Sequence, residues 1–95
     1  MVNAIITNTK SDYLDRRKKE IGSRIQQARK SNKLSQSDVA EFLNCSRLRI
    51  TRAENGHTEF SIGEIELLAA EFGVNPLELL GVSISYKIEN GLPTS

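Results

Sequence analysis

The spacing of apolar residues in the first third of the chain predicts an α-helix. One stripe recurs at intervals of seven, four and three residues and consists of Leu14, Ile21, Ile25 and Ala28. Such intervals place side chains on one helix face, and Arg and Lys occupy many of the other positions. We therefore predict a first helix over Arg16–Ser31. Residues Met1–Ser11 mix Asn, Thr and small apolar residues without a clear period, which indicates a loose arm.

Four shorter helices are predicted from their starting residues. Each follows a residue whose side chain can accept a free backbone N–H, and these residues are Ser35, Ser46, Ser61 and Asn75. Asp38 and Glu64 stand three residues after the first and third of them, so both starts resemble capping boxes. The helices are predicted to end at about Leu43, at Glu54, before Gly73 and before Gly81. The inward stripes are Val39, Ala40 and Leu43, and then Ile65, Leu68, Ala69 and Phe72. The fold class predicted from these elements is all-α.

The C-terminal segment has a different period. Apolar residues alternate with polar ones over Val82–Ile88, which is typical of a short strand with one covered face. No earlier strand is predicted to receive it, so we expect it to pair with the same segment of a second chain. Two alternatives are that it lies along its own last helix, or that it binds a partner protein. The alternative dimer surface is formed by residues of the fourth and fifth helices.

Composition limits the class of protein. The 95 residues are enough for one small domain, and the single cysteine excludes an internal disulfide framework and fits a reducing compartment. No apolar run approaches the roughly 18 residues of a membrane span. The N-terminus lacks the basic-then-apolar pattern of a secretory signal. We expect a cytoplasmic protein that does not enter a membrane.

The net charge of +1 hides an uneven distribution. From Arg24 to Arg52 basic residues exceed acidic ones by five, and the first 19 residues carry a positive surplus of three. From Ala53 to Gly81 there are six glutamates and neither Lys nor Arg. This polarity predicts a positive face for a polyanion, although two unrelated solvated faces would have the same sequence.

Two short helices joined by about three residues, the second rich in Arg, have the layout of a helix-turn-helix. The sequence resembles the Cro/repressor-type (Xre-like) helix-turn-helix family over about Glu20–Gly81. The resemblance is carried by Ile21-Gly22-Ser23-Arg24-Ile25, Ala28-Arg29, Leu34-Ser35-Gln36, Val39-Ala40, Ser46, Ile50, Glu54-Asn55-Gly56, Leu68-Ala69, Phe72-Gly73-Val74 and Leu79-Leu80. It implies a compact five-helix, repressor-like DNA-binding domain at 20–81, after a basic, partly helical arm at 1–19 and before a strand and tail at 82–95.

The resemblance implies that the third helix reads DNA bases with Arg47, Leu48 and Arg52. Arginine matches the O6 and N7 acceptors of guanine in the major groove. Leu48 has two interpretations. It packs on a thymine methyl group if it is exposed, or it fills a gap beside the second helix.

Phosphate or flanking contacts are predicted for Ser35, Gln36, Arg49, Thr51 and Asn55. Gln36 stands at a helix N-terminus, which favours a phosphate, and the family's matching glutamine also braces the reading helix. The plainer alternatives are a solvated Gln36, a solvated Arg49 and simple helix termination at Asn55. Basic residues 16–19 are expected to attract phosphates or to point into solvent. The resemblance also implies a buried structural pair between Arg29 and Glu54.

Other chemistry is poorly supported. Cys45 is interpreted as structural, with a redox sensor as the alternative, and His57 is the only histidine, so we expect neither a metal site nor a cofactor. No catalytic motif appears, and the acidic residues Glu64, Glu66, Glu71 and Glu78 fall on faces that look solvated, so we do not expect an enzyme.

The predicted function is sequence-specific binding to double-stranded DNA as a transcriptional regulator, with repression favoured. A single reading helix covers about one half-site, so a homodimer is expected. Two alternatives remain. One is an antitoxin that represses its own operon and holds a toxin, and the other is a protein-interaction module that keeps the fold without the DNA contacts.

Overall fold

Five helices form the part of the chain that this computed structural model describes, residues 2–82, with side chains from residue 9 onwards. They are α1 (Val2–Ser31), α2 (Gln36–Leu43), α3 (Arg47–Glu54), α4 (Ile62–Phe72) and α5 (Pro76–Leu80). No strand occurs among these residues, which confirms the all-α class. The strand predicted at the C-terminus lies outside the described residues except for Val82.

The capping residues confirm the predicted starts of the four short helices. The Ser35 hydroxyl accepts the Asp38 N–H at 3.0 Å, and the Ser61 hydroxyl accepts the Glu64 N–H at 3.1 Å. Both acids return the bond to the serine N–H, so both capping boxes are complete. Ser46 and Asn75 cap the other two helices without a capping box, since their side chains accept the Arg49 and Leu77 N–H groups. Gly73 and Gly81 follow α4 and α5 with φ of 70° and 75°, a conformation that glycine adopts without steric cost.

The first helix is longer than the sequence pattern predicts. It begins at Val2 instead of Arg16, so the interpretation of Met1–Ser11 as a loose arm is wrong for the residues from Val2 onwards. Neither glycine nor proline interrupts this stretch, so nothing in it breaks a helix. A period of apolar residues is present only where a helix packs against the rest of the protein. Residues 9–16 are all exposed, including Leu14, so the prediction that Leu14 lies on the inward stripe is wrong.

The core lies where α1, α3, α4 and α5 meet, with α2 packed on α3. Its fully buried large side chains are Ile25, Val39, Ile50 and Leu68. The predicted inward residues of α2 and α4 are buried or, for Leu43, half-buried. No helix within residues 2–82 is both long enough and apolar enough to cross a bilayer.

Gly22 allows α1 to cross the end of α3 at very short range. A Cβ at this position would collide with the carbonyl oxygens of Ala53 and Glu54. Any other residue would therefore push the two helices apart. This close crossing brings the second half of α1 to the C-terminal end of α3, where the polar residues of the candidate site meet.

Candidate nucleic-acid interface

The three residues Asn44–Ser46 turn the chain sharply between α2 and α3. Asn44 takes the left-handed conformation, with φ of 58°, which ends α2. The N–H of Cys45 donates to the Ala40 carbonyl at 2.9 Å. Ser46 then caps α3 through a 3.1 Å bond from the Arg49 N–H to its hydroxyl. Local hydrogen bonds thus connect the two helices through a defined turn.

The eight residues of α3 have a buried face and an exposed face. Ile50 and Ala53 are 0% and 1% exposed and attach the helix to the core. Arg47, Leu48 and Arg52 are exposed, and no hydrogen bond or ion pair holds either arginine side chain within residues 9–82. Leu48 is 67% exposed, so it does not fill a gap beside α2. One side of α3 therefore presents two unpaired cations and an apolar side chain.

Gln36 braces α3 from the first turn of α2. Its Nε2 donates to Oε1 of Glu54 at 3.0 Å, and its Oε1 accepts the Thr51 hydroxyl at 2.8 Å. The Glu54 carboxylate fixes the direction of the carboxamide, because an ionised carboxylate can only accept a hydrogen bond. The Thr51 hydroxyl, which also lies 3.2 Å from the Arg47 carbonyl, fits this direction as a donor. Gln36 is half-buried and bonded on both sides, so it is not the solvated side chain of the alternative interpretation.

Arg29 and Glu54 form a buried ion pair between α1 and α3. Arg29 Nε lies 2.7 Å from Glu54 Oε2 and its Nη2 lies 3.1 Å from Oε1, with the two side chains 8% and 0% exposed. Gln26 adds a further bond to the same carboxylate, at 3.3 Å. The third guanidinium nitrogen of Arg29, Nη1, donates to the Leu34 carbonyl at 2.8 Å and so binds the loop before α2. The buried charges are therefore matched by hydrogen bonds from three surrounding segments.

Asn55 and Ser35 lie at the ends of these helices with exposed side chains. Asn55 caps α3 through its N–H, which donates to the Thr51 carbonyl at 3.1 Å, but its φ of −87° is not left-handed. Gly56 has that conformation, with φ of 80°. The Ser35 hydroxyl is occupied by the capping box. Helix termination explains the backbone of Asn55, and the phosphate contacts of both residues stay predictions.

Arg49 binds an acidic residue of α4. Its Nη1 and Nη2 lie 2.7 and 2.8 Å from the two carboxylate oxygens of Glu64, and Nη2 also donates to the Glu59 carbonyl at 3.1 Å. Arg49 is therefore not the solvated cation of one interpretation. The placing of Glu64 on a solvated face is wrong as well, because its side chain is only 23% exposed.

The Arg49–Glu64 contact also affects the proton equilibria of both groups. The hydrogen bonds from Arg49 hold the pKa of Glu64 below its ordinary value, and the Ser61 N–H acts in the same direction. The same bonds raise the pKa of Arg49. Cys45 is half-buried in the turn, with its Sγ 4.0 Å from Arg49 Nη1. No helical or strand period links residues 49 and 64, so the sequence does not predict this pair.

The basic residues near the middle of α1 mostly contact the protein itself. Arg17 donates to Glu20 at 2.9 Å and to the Leu80 carbonyl, which caps the end of α5. Arg16 lies over the ring of Tyr13, 5.3 Å from its centroid. Phosphate attraction by this segment stays a prediction.

Two helices joined by a capped three-residue turn define the site, and the second has two arginines without a bonded partner among residues 9–82. A helix-turn-helix family model matches residues 25–79, more than half of the chain. The chain belongs to the Cro/repressor-type helix-turn-helix family. Within this helix-turn-helix, α2 and α3 are the paired helices, and the match extends from α1 into α5. The family makes the chain a DNA-binding transcriptional regulator. No curated protein matches its sequence.

Proposed function

We propose that this chain is a cytoplasmic repressor that binds a specific duplex DNA sequence as a homodimer, with α3 in the major groove. The observation that carries the proposal is the outer face of α3. Arg47, Leu48 and Arg52 are exposed there, and both arginines lack a partner within residues 9–82. The other face is buried in the core, so the helix can enter a groove without unfolding anything.

The three side chains match the chemistry of base edges. A guanidinium can bond bidentately to O6 and N7 of guanine, and an exposed leucine can cover the methyl group of thymine. Leu48 lies between these cations in sequence, one residue after Arg47. We infer a short site in which guanine contacts flank an apolar contact.

Gln36 supports the same docking from α2. Its amide has two hydrogens, and one of them is bonded to Glu54. The second has no acceptor within the described residues and is available to a phosphate oxygen at the positive end of α2. Ser35, Thr51 and Asn55 border the same surface and are proposed as flanking contacts.

A binding selection tests the proposal. The intact protein is incubated with a random pool of duplex DNA, and the enriched operator is compared with random DNA in gel-shift titrations. Arg52→Ala should weaken operator binding by about 1–3 kcal/mol and leave binding to random DNA nearly unchanged. An equal loss on both DNAs would assign Arg52 to phosphates. Failure to enrich any sequence would favour the protein-interaction module.

We further propose two-fold assembly, because one reading helix covers about half of a useful site. Two copies would place their α3 helices about 34–36 Å apart on a palindromic operator. Pairing of the segment Val82–Ile88 between copies is the proposed interface. Sedimentation equilibrium of the intact chain and of a chain that ends at Gly81 tests it. Undiminished dimerisation of the shortened chain would exclude this interface. A toxin that binds the intact chain would support the antitoxin alternative.

A further inference from the structure

The three arginines of α3 differ in how their guanidinium groups are used. Arg47 and Arg52 have no bonded partner between residues 9 and 82. Arg49 has four terminal N–H groups, and the protein offers acceptors for all of them. Two face the Glu64 carboxylate, one faces the Glu59 carbonyl and one points towards the Cys45 sulfur. Contact of Arg49 with DNA through these groups would first require the loss of bonds inside the protein.

The acceptor of Arg49 is itself held in place. Glu64 Oε1 accepts the Ser61 N–H at 2.8 Å as part of the capping box of α4, and its two oxygens bind Arg49. The Arg49 guanidinium carbon lies 5.9 Å from the ring centroid of Phe60, a buried core residue. The geometry is that of a bidentate arginine–carboxylate pair, which fixes direction as well as distance.

Each half of α3 is fixed by one such pair. Glu54, the last residue of the helix, binds Arg29 of α1, and Arg49, in its first turn, binds Glu64 of α4. The two residues are five apart, which separates the anchors by about 7.5 Å along the helix axis. A helix held at one end can pivot about that end, whereas two anchors on different helices restrict the pivot. Arg47 and Leu48 lie at the end that the Arg49 pair controls.

We propose that Arg49 and Glu64 are positioning residues that set the angle at which α3 presents its base-reading side chains, and that Arg49 is not itself a DNA contact. The inference rests on the proposed function, in which α3 enters the major groove. It assigns a role in DNA recognition to Glu64, an acid on a helix outside the helix-turn-helix. It also withdraws Arg49 from the phosphate contacts predicted from the sequence.

The sign of one substitution separates positioning from direct contact. Glu64→Gln removes a negative charge and weakens the hold on Arg49. If Arg49 bound DNA, its release and the added positive charge would both tighten operator binding. If the pair positions α3, the same substitution weakens operator binding. Glu66→Gln is the matched control, because it makes the same change of charge at an exposed residue of α4 that has no ion pair within residues 9–82.

Three further variants separate the pair from the capping box. Glu64→Asp keeps a carboxylate at the capping position, as Asp38 does in α2, but withdraws it from Arg49 by one carbon–carbon bond. Arg49→Gln removes the other partner, and the double variant Arg49→Gln/Glu64→Gln closes a thermodynamic cycle. Operator and random-DNA affinities are measured over a range of salt, at a temperature where melting curves show every variant to be folded.

We expect Glu64→Gln, Glu64→Asp and Arg49→Gln each to weaken operator binding about tenfold, within the range for residues in contact. The double variant should lose no more than either Gln variant alone. Binding to random DNA should change less than twofold, and the salt slope with Arg49→Gln should equal that of the wild type. Glu66→Gln should bind the operator at least as tightly as the wild type.

Several results would overturn the proposal. Tighter operator binding by Glu64→Gln, or a salt slope lowered by about 0.9 in Arg49→Gln, would make Arg49 a phosphate contact. Unchanged operator affinity with a lower melting temperature would make the pair purely stabilising. Wild-type affinity of Glu64→Asp would assign the effect to the capping box. If the wild-type protein selects no operator, the proposed function fails, and that result is distinct from a failure of the variants.

Discussion

Two bidentate ion pairs hold α3 within residues 9–82, and they differ in burial and in the guanidinium nitrogens that they use. Arg29–Glu54 is buried, joins three segments through extra hydrogen bonds and lies where Gly22 lets two helices touch. Arg49–Glu64 is partly exposed and has the protein on one side and water on the other. Removal of one partner therefore costs more free energy at Arg29–Glu54 than at Arg49–Glu64, because the cost of leaving a charge unpaired rises with its burial.

The two pairs also contribute differently to the stability of the domain and to the orientation of α3. Loss of Arg29 at the buried pair leaves an unpaired carboxylate in the core, which lowers the free energy of unfolding of the whole domain. Loss of a partner at the partly exposed pair leaves a charge that water can reach, so the domain stays folded while α3 gains freedom. The following substitutions test this contrast.

The largest loss is expected at the buried pair. Arg29→Met removes the cation and leaves Glu54 uncompensated, which should lower the free energy of unfolding by about 3–5 kcal/mol. Urea denaturation followed by circular dichroism measures it. In Arg29→Met/Glu54→Gln the buried charge is gone, so much of the stability should return. A loss below about 1 kcal/mol in the single variant would show that the pair does not bear on folding.

A smaller loss is expected at the partly exposed pair, Arg49–Glu64. Glu64→Gln should lower the free energy of unfolding by about 1–2 kcal/mol, between the values typical of surface and buried pairs. The same denaturation experiment gives the value. A loss as large as that of Arg29→Met would remove the distinction between the two pairs.

Ser61→Ala separates the cap from the ion pair. It removes the hydroxyl that accepts the Glu64 N–H but keeps the bonds from Arg49, so it should destabilise the domain by about 1 kcal/mol. Operator affinity, measured with folded protein, should be unchanged. A tenfold loss of affinity would mean that the start of α4, and not the ion pair, orients α3.

Acid should remove the contribution of Glu64 selectively. Its pKa in the folded state lies below the ordinary 4.5, so ionised Glu64 stabilises the fold above that value, and the contribution disappears as the pH falls through the lowered pKa. The stability difference between wild type and Glu64→Gln should be constant from about pH 7 to 5 and shrink below pH 4.5. A difference that persists at pH 2 would show that packing, not charge, is lost.

The smallest effect is expected for Glu66→Gln. Its side chain is exposed on α4, so the free energy of unfolding should change by less than about 0.5 kcal/mol. A larger change would show that the net charge of α4, and not a specific pair, stabilises the fold.

What could be predicted from the sequence follows the range of the interactions. The starts of α2 and α4 were predictable because a serine and an acid three residues apart form a capping box within one turn. The ion pair between Arg29 and Glu54 was predictable from the family resemblance. The sequence does not indicate Glu64 as the partner of Arg49, because the capping box of α4 already explains an acid at that position. The start of α1 was misplaced because exposed helical residues carry no apolar period.

The orientation of the Gln36 carboxamide has a consequence for spectroscopy. Reversal of the amide would oppose its oxygen to the Glu54 carboxylate, which cannot donate a hydrogen bond, so one rotamer is strongly favoured. The two hydrogens of one NH₂ group are therefore chemically unlike: one is bonded to a carboxylate and the other has no acceptor within the described residues. In a proton–nitrogen spectrum they form a widely separated pair of resonances. A bound phosphate would change the chemical shift of one resonance of the pair and leave that of the other almost unchanged.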